Sequence, residues 1–131
     1  MQEGENKMGR PVKLREKFLD GRTLFYRFYV EMGKASSLNK LQNALFNEGI
    51  SNPDNGKAFT TSAIFQSMWR WALLPENFEE SSAVYKDNML LFGEVMGEAA
   101  WKQMISERVY RYLNKTNQKR FFKAYPEYAA E

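Results

Sequence analysis

Hydrophobic residues recur along most of this chain every three or four positions, the spacing that puts them on one face of an α-helix. One clear stripe, interrupted by asparagine, glutamine and lysine, comprises Leu38, Leu41, Leu45 and Phe46. A second stripe, after a polar interval, comprises Ile64, Phe65, Met68, Trp71 and Ala72. No segment shows the alternation of a half-buried strand. The pattern predicts an all-α fold with helices at about 13–19, 22–33, 38–48, 62–74, 79–93, 98–114 and 116–124.

Residues with special backbone preferences mark the ends of two of these helices. Ser36 or Ser37 can cap the helix that starts near residue 38, and a residue of the Thr-Thr-Ser run at 60–62 can cap the next. Gly49 favours the left-handed conformation that commonly follows a helix. We expect Pro75 to stop the helix at 62–74, because proline cannot continue a helix interior.

The polar interval between the two helices carries turn residues. Pro53 and the pair Asn55-Gly56 favour a turn with positive φ. The interval therefore predicts either a loop or a small β-ribbon wing at 50–59, with Ile50 on one limb and Phe59 on the other.

The chain divides into three parts by composition. Residues 1–12 have few apolar side chains and predict a flexible basic arm. Residues 13–75 hold the two striped helices and their supporting helix, which together predict a helix-turn-helix domain. Residues 76–131 predict further helices that serve packing or oligomerisation.

The composition excludes several kinds of functional site. The 131 residues are 44% hydrophobic, enough for a core, but include neither cysteine nor histidine. Disulfides, thiolate nucleophiles, zinc–cysteine sites and histidine catalysis are therefore excluded. Carboxylates cluster only at Glu79-Glu80 and at Asp87, Glu94 and Glu98, and no glycine-rich phosphate loop occurs. We expect a protein that is not an enzyme and that binds no cofactor or metal.

The N-terminal residues and the hydropathy of the chain predict where in the cell the protein lies. The chain starts with the polar stretch MQEGENKMGRPVK and contains no apolar run of about 18 residues, the minimum for a membrane helix. We therefore expect a cytoplasmic protein that neither spans a membrane nor carries a signal peptide.

The net charge of +3 is unevenly distributed. Residues 7–40 hold nine Lys/Arg and three Asp/Glu, whereas residues 71–100 hold one and six. Residues 101–131 hold seven Lys/Arg and three Asp/Glu. Two basic blocks thus flank an acidic one. They are explained either by an anionic partner such as nucleic acid or by solvated helix faces.

The side of the 62–74 helix opposite its apolar stripe suits DNA. It comprises Ser62, Gln66, Trp69, Arg70 and Leu73. Glutamine can pair with the edge of adenine and arginine with the edge of guanine, while Ser62 and Thr61 in the first turn can reach phosphates. Lys40 and Lys57 are candidate phosphate contacts on the preceding helix and loop. In the basic cluster that begins in the arm and continues past it, the candidates for a minor-groove contact are Arg10, Lys13 and Arg15.

Each of these assignments has a plainer alternative. Any amphipathic helix has a polar side, and lysines line most solvated surfaces. The basic arm equally fits a solubilising tail. The last helix carries Lys115, Lys119, Arg120 and Lys123, which either complement the helix dipole or make a second phosphate contact. The three tryptophans Trp69, Trp71 and Trp101 are expected in the core, although an exposed Trp69 would anchor a protein partner.

Residues 24–75 resemble the helix-turn-helix segment that follows the catalytic domain of serine recombinases. The resemblance rests on a helix ending near Gly33 and on Ser37-Leu38, Leu41, Asn47, Gly49-Ile50, Asn52-Pro53, Gly56-Lys57, Phe59, Ile64 and Met68. It covers about 50 of 131 residues. No catalytic domain with its nucleophilic serine accompanies the segment, and Trp69 and Trp71 are unusual in a reading helix. The resemblance implies a related way of holding DNA and no recombinase activity.

The sequence thus predicts a double-stranded DNA-binding protein, a regulator or a DNA-recognition subunit of a phage or mobile element. Because one recognition helix contacts few base pairs, a symmetric homo-oligomer or a larger protein complex is expected. The alternative is a helical adaptor or phage-encoded inhibitor that binds a protein through aromatic residues and the acidic region 76–98. Steep salt dependence would distinguish DNA binding from an apolar protein interface.

Overall fold

The structure, a computed structural model, describes residues 20–89 and 96–129. Within these ranges every regular element is helical and no strand occurs, so the predicted all-α class is confirmed. The predicted helix at 13–19 and the basic arm lie outside the described residues. Six α-helices lie within the described residues: α1 Gly21–Tyr26, α2 Leu38–Asn47, α3 Thr61–Ala72, α4 Pro75–Asn88, α5 Glu98–Tyr112 and α6 Lys115–Ala124.

The helix predicted at 22–33 changes its winding along its length. α1 continues into a π-helical turn at Arg27–Glu31 and, after Met32, a 3-10 turn at Gly33–Ala35. The Met32 N–H donates to the carbonyl of Arg27, five residues earlier, over 3.0 Å. Gly33 has a φ of 53°, which a side chain would disfavour. This irregular end carries Tyr29 into the core.

The predicted caps of α2 and α3 form, each at one of the candidate residues. The Ser37 Oγ accepts from the Lys40 N–H at 3.4 Å, and the Thr60 Oγ1 accepts from the Ala63 N–H at 3.0 Å. Gly49 follows the C-cap of α2 and has a φ of 85°. The N–H of Ile50 donates to the Leu45 carbonyl and that of Gly49 to the Phe46 carbonyl, a Schellman motif.

Residues 48–60 form a loop, so the β-ribbon that was the other prediction for 50–59 is wrong. The Asn52 N–H donates to the Lys57 carbonyl, and the Gly56 N–H donates back to the Asn52 carbonyl. These two bonds close a turn of six residues, and no paired β-strands extend from it. The connection is also longer than the turn of about three to four residues in a tight helix-turn-helix.

Pro75 starts a helix as well as ending one, which corrects the prediction that the next helix begins near residue 79. Leu74 is extended, with ψ of 137°, as a residue before proline should be. Pro75 then occupies the first turn of α4, where its missing N–H costs nothing. The Ser81 hydroxyl donates to the Ala72 carbonyl at 2.6 Å and fixes the corner between α3 and α4.

α3 lies at the centre of the fold and packs against α1, α2, α4 and α5. Trp69 is only 2% exposed, and its ring lies 5.4 Å from that of Phe25 and 5.8 Å from that of Tyr85. Leu73 is fully buried. The placement of Trp69 and Leu73 on the outward face is therefore wrong. Four neighbouring elements cover more of a helix than the roughly 100° stripe that periodicity reveals.

The C-terminal helices extend the same core. Phe78 of α4 and Phe121 of α6 are buried, with ring centroids 4.9 Å apart. A 3-10 turn at Pro126–Tyr128 closes over them, and the Trp101 indole N–H donates to the Tyr128 hydroxyl at 2.9 Å. One apolar residue of the predicted stripes stays outside, since Phe46 is 48% exposed at the end of α2.

Candidate nucleic-acid interface

The uncovered part of α3 is a narrow polar strip. Ser62 and Arg70 are exposed, while Thr61 and Gln66 are half-buried. Ser62, Gln66 and Arg70 follow one another at intervals of four residues, so they share one side of the helix. The Gln66 amide makes no hydrogen bond within residues 20–89 and 96–129, which leaves its donors and acceptor available. The strip is narrower than predicted because Trp69 and Leu73 are absent from it.

α5 covers one border of the strip. The Phe65 ring lies 5.9 Å from that of Tyr112 at 68°, an edge-on contact. The Arg108 guanidinium lies 4.2 Å from the centroid of the Trp69 ring. No sequence argument had assigned a role to Arg108, although it stands among the apolar positions of α5. It holds α5 against α3 and so limits how far a ligand can reach along that border.

α1 covers the other border by close backbone contact. A Cβ atom on Gly21 would lie 2.3 Å from the Ser67 carbonyl oxygen and 2.5 Å from the Trp71 Cβ. Only glycine therefore allows this approach. Ser62, Gln66 and Arg70 remain between the two covered borders.

Arg70 lies at the far end of the strip, about 12 Å along the axis from Ser62 at 1.5 Å per residue. Its side chain lines an open groove with Trp71, Tyr112 and Asn114. It makes no ion pair within the described ranges. The guanidinium is thus available to a ligand at the junction of α3 with α5.

Lys40 and Lys57 are both exposed, as a phosphate contact requires. Lys57 follows Gly56, and its N–H donates to the Asn55 side chain at 2.9 Å. The Gln42 amide of α2 donates to the Phe59 carbonyl at 2.9 Å, next to the residue that caps α3. This bond places the first half of α2 beside the start of α3. The predicted contacts Arg10, Lys13 and Arg15 lie outside the described residues.

Two other basic residues of the first block already have partners. The Arg27 guanidinium makes two hydrogen bonds to the Glu48 carboxylate, one of 2.9 Å, and this pairing lowers the pKa of Glu48. Arg22 donates to Glu80 at 3.0 Å. The Tyr26 hydroxyl also donates to Glu80, at 2.6 Å, and is the larger cause of the lowered Glu80 pKa. These two cations are therefore already paired with carboxylates of the same chain.

The acidic residues give no sign of a metal centre in the described ranges. No three of the Asp and Glu side chains there converge on a point that could hold an ion. Glu76 pairs with Arg120 at 2.7 Å and Glu98 with Lys102 at 3.3 Å. Glu94, part of the predicted carboxylate trio, lies outside the described residues. None of the described helices combines the length and apolar character needed to cross a bilayer.

Comparison of the chain with protein-family models, curated proteins and solved structures finds no match. The resemblance to the recombinase segment therefore has no independent support. The case for a function rests on the exposed side chains of α2, α3 and their loop.

Proposed function

We propose that this protein binds double-stranded DNA with α2, the loop at 48–60 and α3. The observation that carries the proposal is the uncovered strip of Ser62, Gln66 and Arg70 on a helix that four other elements otherwise enclose. The strip is polar and its long side chains have no partners within the described residues.

The chemistry of the strip matches the major groove. Glutamine can donate to N7 and accept from N6 of adenine, and arginine can donate twice to guanine. The strip is about 12 Å long, comparable to the width of the groove. The open N–H groups of the first turn, at Thr61 and Ser62, favour a phosphate at the helix start.

The two lysines supply the positioning contacts. Lys40 stands in the first turn of α2, and Lys57 stands on a loop that internal hydrogen bonds hold rigid. Contacts of this kind set the register on the duplex and dominate affinity without reading sequence. Because α1 and α5 cover the borders of α3, this helix can enter the major groove only to a small depth. We therefore expect phosphate contacts to contribute most of the binding free energy.

In this role the chain would serve as a regulator or a DNA-recognition subunit of a phage or mobile element, acting as a symmetric oligomer. The adaptor alternative loses Trp69 as an anchor, since that side chain is buried, although Phe46 and Tyr110 stay exposed. Its acidic surface is also reduced, because Glu76, Glu80 and Glu98 are paired with basic residues of the same chain.

The test is duplex affinity by gel shift at about 50 mM and about 200 mM salt. Gln66→Ala with Arg70→Ala should lose about 1–3 kcal/mol for each base contact and relax sequence preference. Lys40→Gln with Lys57→Gln should weaken binding to every sequence and flatten the salt dependence. Gln103→Ala with Lys34→Ala, which removes one side-chain amide and one positive charge elsewhere, should bind normally. Absence of wild-type binding at the lower salt would refute the proposal.

A further inference from the structure

A second surface with free cations lies toward the C-terminal end of the chain, along α6. Three lysines, a glutamine and two aromatic residues line one open groove there. We call this groove the α6 lysine face, and its members are Tyr110, Lys115, Gln118, Lys119, Phe122 and Lys123. All but Tyr110 follow one stripe of α6, because they are spaced three or four residues apart.

The aromatic part of this face is exposed and held in place. Tyr110 is 52% exposed, the largest exposed fraction given for any large hydrophobic side chain in the described ranges. Its ring lies 5.3 Å from that of Phe122 at 39°. The Gln118 amide donates to the Leu113 carbonyl at 2.7 Å and so fixes the turn between α5 and α6. The Tyr110 ring, packed against Phe122, therefore presents part of its surface to solvent.

The three lysines of α6 have unfavourable electrostatic interactions within the helix. Lys115, Lys119 and Lys123 repel one another at intervals of four residues, and none has an ion pair in residues 20–89 and 96–129. The helix dipole favours Lys123 in the last turn but disfavours Lys115 in the first. Arg120, on another side of α6, is paired with Glu76. An anionic ligand would relieve the repulsion along the face.

Carboxylates border Tyr110 on its other side. A neighbouring groove is lined by Tyr110 together with Glu107 and Glu127. The cation that also lines this groove, Lys102, is paired with Glu98. Tyr110 thus marks the edge at which the surface changes from basic to acidic. A polyanion lying on the lysines would reach the tyrosine ring at this edge and would not continue past it.

We infer that the α6 lysine face binds an unpaired nucleic-acid strand. Its phosphates lie along Lys115, Lys119 and Lys123, a length of about 12 Å, and a base stacks on the Tyr110 ring. An anionic membrane would need apolar side chains free to insert, but Phe121 is buried and Phe122 half-buried. An acidic peptide would satisfy the lysines and leave the tyrosine ring unused. The surface shares no residue with the duplex site, so the two proposals stand independently.

The test measures binding of a thymidine oligomer of about 12 nucleotides by calorimetry at about 50 mM salt. Tyr110→Ala should weaken binding at least about fivefold, the lower bound for one stacked base, and Tyr110→Phe should restore it. Lys115→Gln with Lys119→Gln and Lys123→Gln should abolish most binding. Lys40→Gln with Lys57→Gln and Arg70→Gln removes the same charge from the duplex site and should leave single-strand affinity nearly unchanged.

Three results would overturn the inference. The first is the absence of wild-type binding to the oligomer. The second is a lysine variant that loses binding while Tyr110→Ala binds the oligomer as tightly as wild type does. That combination would indicate charge attraction alone. The third is an affinity for a polyglutamate peptide, or for vesicles containing phosphatidylserine, that equals the affinity for the oligomer. Failure of duplex binding alone would refute the proposed function and leave this inference standing.

Discussion

At the scale of single residues, Gly21 sets how closely α1 approaches the central helix. A side chain there would collide with the backbone carbonyl of Ser67 and the Cβ atom of Trp71 on α3. Gly97 offers the contrast, since nothing lies within 4 Å of the position a Cβ would take. The same substitution at these two glycines therefore separates steric conflict from the general effect of replacing glycine.

We predict that Gly21→Ser lowers the free energy of unfolding by about 1–3 kcal/mol, the usual cost of overpacking. Gly97→Ser, at the N-cap of α5, should change it by no more than a few tenths or raise it, because serine caps a helix well. Urea denaturation of both variants measures the difference. Equal stability of the two would show that α1 and α3 separate easily.

The residue scale also shows what could be predicted from the sequence. The caps at Ser37 and Thr60 and the left-handed Gly49 were predictable because each depends on residues within one turn. Exposure of Ser62 and Arg70 also followed from helical periodicity. The burial of Trp69 was expected from its residue type and is confirmed, but helical periodicity placed it on the outward face, because its cover comes from Arg108 and Tyr85, which are distant in sequence.

At the scale of elements, hydrogen bonds to Glu80 join α1 to α4. Tyr26 and Arg22 both donate to its carboxylate and lower its pKa in the folded state. The unfolded chain keeps the ordinary glutamate value of about 4.3. The bonds therefore stabilise the fold fully above that pH, and this stabilisation is lost as the pH falls through the folded-state pKa.

We predict that Glu80→Gln is less stable than wild type at neutral pH by no more than about 1 kcal/mol, since the site is partly exposed. The difference should shrink below about pH 4 and vanish when both states are protonated. Thermal unfolding at several pH values measures it. Glu79→Gln, at a neighbouring carboxylate without an ion pair in the described ranges, should match wild type throughout. A difference that grows in acid would contradict this reading.

At the scale of the whole molecule, the helix-turn-helix candidate and the C-terminal helices share one core. Phe65 and Trp69 of α3 are covered by Tyr85 of α4 and by Arg108 and Tyr112 of α5. The predicted boundary at residue 75 falls inside this cluster. The sequence pattern could not reveal this because helical spacing reports one face of a helix and not how many neighbours it has.

We predict that a fragment of residues 1–75 does not unfold cooperatively, because Phe65 and Trp69 lose their covering side chains. Heating followed by circular dichroism should give a gradual change for the fragment and a sharp transition for the full chain. Adding residues 76–131 as a separate peptide should restore part of the transition. A sharp transition in the fragment alone would establish an independent domain.

The groove that holds Arg70 has a practical consequence for following ligand binding. Trp71 lines that groove and is half-buried, whereas Trp69 and Trp101 are 2% and 5% exposed. A ligand at Arg70 comes within reach of one indole and leaves the other two in unchanged surroundings. The intrinsic emission of the unlabelled chain is therefore a built-in optical reporter of this site, with Trp71→Phe as its blank.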